Sequence, residues 1–253
     1  MLAVIPARKN SVGIPGKALR TVSGIPMILR TLRAVEEADI AEQVVVSTDD
    51  PEVHSFCELR GFDVIDRPPE LAKDDTPLIT VARHAANTES WQGNVALFQP
   101  TCPLVSARTL RAAYKEWTAN QFEWGITATN DSHIYWQDGK PIGDRLNRQQ
   151  RKPLQRETGA AQFFTPKFLA TEQGKVGTLA IPEDQALDVD TPADLLLAER
   201  LAARARIHFV VAMGPHIGTG HYHRSLALAQ ALSHHSVSWQ WCEEPPQFAM
   251  DRI

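Results

Sequence analysis

Cysteine is scarce in this 253-residue chain: Cys57, Cys102 and Cys242 form an odd, widely spaced set with no CxxC pair. That excludes a disulfide framework and a cysteine-built zinc centre. Long hydrophobic runs are missing too. The apolar stretch in MLAVIPARKN is too short for a signal peptide, and no segment approaches the ~20 apolar residues of a membrane span. The expected compartment is therefore a reducing cytoplasm. Positive charge is not in excess, with 26 Lys and Arg against 30 Asp and Glu and a net charge of −4. Nucleic acid and an anionic membrane surface are thus not expected partners, and any polyanion bound must be small and met locally. No period of 20–50 residues recurs, which removes repeat architectures.

What is present is ordinary globular material, 43% hydrophobic and 22% charged, enough to build a core. Short apolar runs alternate with amphipathic stretches. LAVIPA (2–7), QVVVST (43–48), FDVID (62–66), NVALFQ (94–99) and WGITAT (124–129) read as strands. Between them, 26–38, 51–61, 76–89 and 106–117 read as helices, with Pro26 in a first turn and Gly61 closing the second. This rhythm predicts an α/β domain with a mostly parallel sheet covered on both faces. Residues 130–160 interrupt it with polar, irregular sequence in which Arg145, Arg148, Arg151, Lys152 and Arg156 crowd together. Regularity returns at AAQFFT and VGTLAIP, and 191–205 reads as a closing helix capped by Thr191.

From Arg206 the character changes: 48 residues hold six of the nine histidines. One strand, one helix and part of a second strand cannot enclose a core of their own. The expected organisation is a main domain over 1–205 and a short βαβ-like extension over 206–253.

Five stretches carry candidate chemistry. PARKNSVGIPGK (6–17) holds Arg8, Lys9, Lys17, Gly13 and Gly16 and no acid, which suits either a phosphate cradle or a solvated loop. In ALDVDTPADL (186–195), Asp188 and Asp190 flank Val189. On a strand both carboxylates would share one side and suit a Mg²⁺ ion, unless Asp190 or Thr191 only caps the following helix. VSTDD (46–50) places Asp49 and Asp50 at a strand end, where turn formation before Pro51 competes with any ligand role. Arg67 in RPPELAKDD (67–75) either holds an anion or pairs with Glu70 or Asp74. Gln99 in FQPTCPL (98–104) either meets a ligand or satisfies loop backbone.

In this order and spacing the five stretches resemble the acylneuraminate (sialic-acid-type) cytidylyltransferases over residues 1 to about 205. The resemblance implies a three-layer Rossmann-like nucleotide-diphospho-sugar transferase fold, usually dimeric, that joins CTP to a 3-deoxy-ulosonic acid with release of pyrophosphate. It implies a nucleotide site of Ala7, Arg8, Asn10, Ser11, Gly13, Lys17, Arg67 and Asp74, and a sugar site of Gln99, Arg148, Gln150 and Arg156. It also implies Mg²⁺ on Asp188 and Asp190, with Arg8, Lys17 and Asp190 serving the chemistry. The basic stretch falls where that family builds its homodimer contact. Departures occur at Val12, Ala18, Leu78, Val105 and Thr158, and they bear on base and sugar selectivity. They motivate a non-catalytic nucleotide-binding homologue as an alternative. A glycosyltransferase with its metal on Asp49 and Asp50 is another.

GTGHYHRSLALAQAL (218–232) resembles the start of the nucleotide-sugar hydrolases of pseudaminic acid synthesis, with His221 at their Gly-x-Gly-His loop. This resemblance tilts the expected substrate toward diamino nonulosonic acids of the pseudaminic or legionaminic type. No independent activity is expected of so short a stretch. A metal reading of His221 and His223 with His234 and His235 competes with histidines that merely line a helix start.

Overall fold

The computed structural model describes residues 1–11, 13–142, 147–150, 152–203, 206–212, 219–232 and 236–242. Val12, Arg145, Arg151, His234, His235 and the Arg148 side chain lie outside that description. The chain divides into two compact units, Met1–Glu199 and Arg200–Ile253.

The first unit opens with β1 (Leu2–Ala7), a small hairpin of β2 (Thr21–Val22) and β3 (Ile25–Pro26), and α1 (Met27–Ala38). Then come β4 (Gln43–Thr48), α2 (Pro51–Glu58), β5 (Asp63–Asp66), α3 (Leu78–Thr88), β6 (Val95–Leu97) and α4 (Ala107–Asn120). After β7 (Trp124–Asp131), β8 (Trp136–Gln137) and β9 (Lys140–Pro141) pair as a second hairpin. β10 (Leu154–Phe164), α5 (Pro166–Thr171) and β11 (Val176–Ala180) follow, and α6 (Pro192–Ala202) runs across the boundary between the units. Seven strands form one sheet in the order β11-β7-β10-β6-β1-β4-β5. Every pairing in it is parallel except those of β10 with β6 and with β7.

The period-two alternation of β1 shows how the layers assemble. Ala3, Ile5 and Ala7 face a core shared with Ile28, Leu32 and Val35 of α1 and Leu110, Ala113 and Trp117 of α4. Leu2 and Val4 face the opposite core, with Ala82, Ala85 and Ala86 of α3 and Phe168 of α5. Both faces of β1 are buried, so the strand reads as a continuous apolar run. The α/β fold with a mostly parallel, two-side-covered sheet is as expected. Two local expectations change. Residues 154–160 are not irregular: they begin the antiparallel strand β10, which a polar, arginine-bearing start hid because its first four residues are exposed. Asp188 and Asp190 lie outside any strand; the Val189 N–H between them donates to the Thr101 carbonyl (2.8 Å) and the Asp190 N–H to Asp194 Oδ2 (3.2 Å).

The second unit holds two parallel strands, β12 (Arg206–Val211) and β13 (Ser236–Trp241), with α7 (Gly220–Ala231) between them in sequence. Val211, Tyr222 and Leu226 form its buried cluster, flanked by Phe209, Trp239 and Trp241. His221 Nδ1 accepts from the Ala212 N–H at 3.4 Å. Among the described residues no helix is long and apolar enough to cross a membrane.

Candidate active site

The chain runs outward from β1 to β4 and β5, then returns to the other side of β1 as β6. That reversal places the loops after β1 and β6 together at the carboxyl ends of the strands, where α/β sheets receive ligands. Arg8 follows β1, Arg67 follows β5 and Gln99 closely follows β6, so three separate loops aim at one place. There a cavity of about 330 Å³ is lined by Ala7, Arg8, Ser11, Gly13 and Lys17 of the first loop, by Arg67, and by Gln99. Asp188 and Asp190 close its other side.

The first loop is pressed against the acidic stretch. A Cβ on Gly13 would lie 2.0 Å from the Asp190 backbone oxygen, so only glycine allows this approach. Gly16 takes a left-handed conformation (φ 62°), and Lys17 then donates from Nζ to Asp190 Oδ1 at 2.8 Å. Arg8 pairs with Asp74 at 2.5 Å. Asn10 and Asp74 line a neighbouring cleft that shares Ser11 with the cavity.

Arg67 makes neither ion pair allowed for it by the sequence. Its buried guanidinium donates instead to Ser47, from Nε to Oγ (3.1 Å) and from Nη2 to the carbonyl (2.6 Å). Burial pushes its pKa down to about 10, Asp49 opposes that shift, and Arg8 adds to it. A buried cation held by neutral partners and facing a cavity is well disposed to meet an anion. Asp50 spends its carboxylate capping α2, accepting from Glu52 N–H at 3.0 Å, and Asp49 accepts from the Lys9 N–H at 2.8 Å. Asp50 therefore serves the helix start at Pro51, while Asp49 ties the first loop to the end of β4.

Asp188 Oδ1 is buried without a hydrogen-bond partner. Burial raises the pKa of this carboxyl, the Thr101 hydroxyl and Lys17 work against the rise, and Asp190 reinforces it. An orphaned carboxylate oxygen beside a second carboxylate fits a hard divalent cation with oxygen ligands. Among the described residues no group of three or more metal-ligating side chains occurs.

Gln150 and Arg156 do not line the cavity. Gln150 is exposed in a short 3₁₀ turn (Arg148–Gln150). Arg156 is half-exposed on β10, its Nε 3.9 Å from Asp131. Thr101, Pro100 and Gly159 escaped the sequence reading as site elements. Gly159 sits so close to Gln99 that a Cβ would lie 2.9 Å from Nε2, and a lone glycine within a strand was the available signal.

The sheet order and strand directions are those of the Rossmann-like nucleotide-diphospho-sugar transferase fold. A family model described as cytidylyltransferase matches residues 2–165, and the chain belongs to that family. It is 27% identical over 217 residues to N-acylneuraminate cytidylyltransferase B of Danio rerio, covering 80% of this chain and 51% of that one. It is 34% identical over 131 residues to the 3-deoxy-manno-octulosonate cytidylyltransferase of Gemmatimonas aurantiaca, covering 51% and 49%. The chain spans about half the length of the curated relatives it matches. A solved CMP:2-keto-3-deoxy-manno-octonic acid synthetase complexed with CTP superposes with a TM-score of 0.61 at 19% identity, covering 80% of this chain and 98% of that one.

Proposed function

We propose that this chain is a CMP-sugar synthetase that transfers the cytidylyl group of CTP to the anomeric hydroxyl of a nonulosonic acid of the sialic, pseudaminic or legionaminic type. The observation that carries the reading is the meeting of Arg8, Lys17 and Arg67 with Asp188 and Asp190 around one cavity. Three cations from two loops suit a triphosphate, and the acid-free loop removes the repulsion that a carboxylate would add. The anomeric oxygen attacks the α-phosphorus, the bond from that phosphorus to the bridging oxygen breaks, and pyrophosphate leaves. The hydroxyl proton passes to solvent. Such a transfer needs alignment and charge neutralisation more than a covalent nucleophile. Asp188 and Asp190 would hold Mg²⁺, which when bound neutralises phosphate charge. Arg67, fixed by Ser47, and Gln99 would orient the nucleotide and the sugar acid. Arg148, Gln150 and Arg156 would serve the neighbouring site of a homodimer, a reading supported by the position of Gln150 and Arg156 outside their own chain's cavity.

Ala18 and Leu78, both apolar, line the cavity where hydrogen-bonding side chains would be useful to a base. That observation favours one second reading, a nucleotide-binding homologue without turnover. Pyrophosphate release from CTP, measured against a panel of nonulosonic and octulosonic acids, separates the two. Release with one acid supports the synthetase, whereas CTP binding with no release on any acid sinks it.

A further inference from the structure

β7 and β10 pair antiparallel with Glu157 opposite Ala128, and then with Gln162 opposite Ile126. Residues 158–161 therefore stand against the single residue Thr127, which makes a large bulge in an otherwise regular ladder. A bulge of this kind strands backbone groups that a ladder would have satisfied. Here the buried hydroxyl of Thr127 takes them over. It accepts from the Ala161 N–H at 2.9 Å and from the Thr158 hydroxyl at 2.9 Å. It donates to the Ala161 carbonyl at 2.9 Å, with the Thr158 carbonyl at 3.3 Å as the weaker alternative. One donor and two acceptor positions are the full capacity of a hydroxyl. Thr158 is itself buried, with 2% of its surface exposed.

Within the bulge, Gly159 touches two residues that line the cavity, Gln99 and Asp188. Its carbonyl accepts from the Gln99 N–H at 3.2 Å. A Cβ on it would lie 2.9 Å from Gln99 Nε2, 3.1 Å from Gln99 Cδ and 3.4 Å from Asp188 Oδ2. Gln99 and Asp188, which come from loops 89 residues apart, thus both meet this one glycine, whose flanking residues Thr158 and Ala161 are bonded to Thr127.

We propose that the Thr127–Thr158 pair is a positioning device that holds Gly159 as the floor beneath the Gln99 amide and the Asp188 carboxylate. Thr127 and Thr158 touch no substrate and act through the glycine. The placement claim stands on the geometry alone, while its kinetic consequence rests on the synthetase reading. A displacement on the order of 1 Å at such a floor costs about 10²-fold in turnover.

The test uses the whole chain carrying Thr127→Val, Thr127→Ser or Gly159→Ala. In the ligand-free protein the ¹⁵N side-chain amide resonance of Gln99, identified by its loss in Gln99→Glu, reports placement directly. It is expected to move in Thr127→Val and Gly159→Ala and to stay in Thr127→Ser, which keeps the hydroxyl. In turnover, kcat/KM for the sugar acid is expected to fall about 10- to 100-fold in Thr127→Val, and kcat/KM for CTP to fall with it because Asp188 shares the same floor. Thr127→Ser restores the wild-type values. If Thr127→Val only lowers the thermal midpoint and leaves the Gln99 resonance and the sugar-acid kinetics in place, the pair is merely structural and the proposal is wrong. If Thr127→Val does not fold, Thr158→Val, which removes the other hydroxyl of the pair, takes its place. An unmoved Gln99 resonance there overturns the proposal. A wild-type chain that turns over no sugar acid defeats the synthetase reading but leaves the resonance experiment to decide this one.

Discussion

At the scale of single residues, the cations of the cavity already have partners. Arg8 is bound to Asp74 and Lys17 to Asp190. A polyphosphate must compete with Asp74 for Arg8, and the pair is partly exposed, so the competition is modest. Asp74→Asn is expected to tighten pyrophosphate binding about 2- to 5-fold by titration calorimetry, the size of one exposed ion pair. Weakened binding would mean that Asp74 assists the ligand, as the resemblance implied. Asp188 and Asp49 are distinguished by a second experiment. Asp188 has an unpaired buried oxygen, whereas Asp49 accepts a backbone bond from Lys9. Asp188→Ala is expected to lower Mg²⁺-dependent turnover about 10²-fold or more, as losing a preorganised charge partner does. Asp49→Ala should keep the Mg²⁺ response. The reverse pattern in pyrophosphate-release assays would move the metal to Asp49.

At the scale of elements, the loop after β1 and the chain before α6 are joined at Gly13. Gly13→Ala would place a methyl group against the backbone of Asp190, where no side-chain rotation relieves the clash. Its cost is expected to be about 1–3 kcal/mol in urea unfolding, with a loss of turnover because Lys17 and Asp190 separate. The end of β7 makes a different kind of element. Asp131 accepts from the Tyr135 hydroxyl, from the His133 N–H (2.8 Å) and from His133 Nδ1 (2.6 Å). The Tyr135 bond above all holds this carboxyl down, from the usual 3.8 to about 2. The folded pKa is lowered, so the ionised group contributes stability fully above about pH 4, and that contribution is lost as pH falls toward 2. The thermal midpoint of Tyr135→Phe should therefore fall less between pH 4 and pH 2 than that of the wild type. Equal slopes would show that the bond does not stabilise the fold.

At the scale of the whole molecule, Ile134, Tyr135, Trp136, Ile142 and Leu154 are exposed on the segment that follows β7. Clustered apolar exposure suits a partner surface, and the homodimer reading makes that partner a second copy. Trp136→Glu is expected to shift sedimentation equilibrium from dimer toward monomer, and an unchanged dimer would place the interface elsewhere. The same segment shows where sequence reading stopped. β1 and β4 were legible because strands buried on both faces need unbroken apolar runs. β10 begins with exposed residues and bulges at Gly159, so its antiparallel entry between β6 and β7 left no periodic signature. Arg67 illustrates the limit within the site. Its sequence neighbours Glu70 and Asp74 suggested ion pairs, but Ser47 on the adjacent strand β4, 20 residues earlier, holds the guanidinium.

Composition and local pattern alone determined the alternating α/β layers, the acid-free cationic loop and the late acidic pair. Each depends on residues close together in the chain, where periodicity and turn chemistry act directly. Only the tertiary structure decided which groups meet: Lys17 with Asp190, Arg8 with Asp74, Gly159 with Gln99 and Asp188. Those contacts join segments up to 173 positions apart. They are set by sheet order, a bulge and close backbone approach, and none of these leaves a local trace in the residues that they bring together.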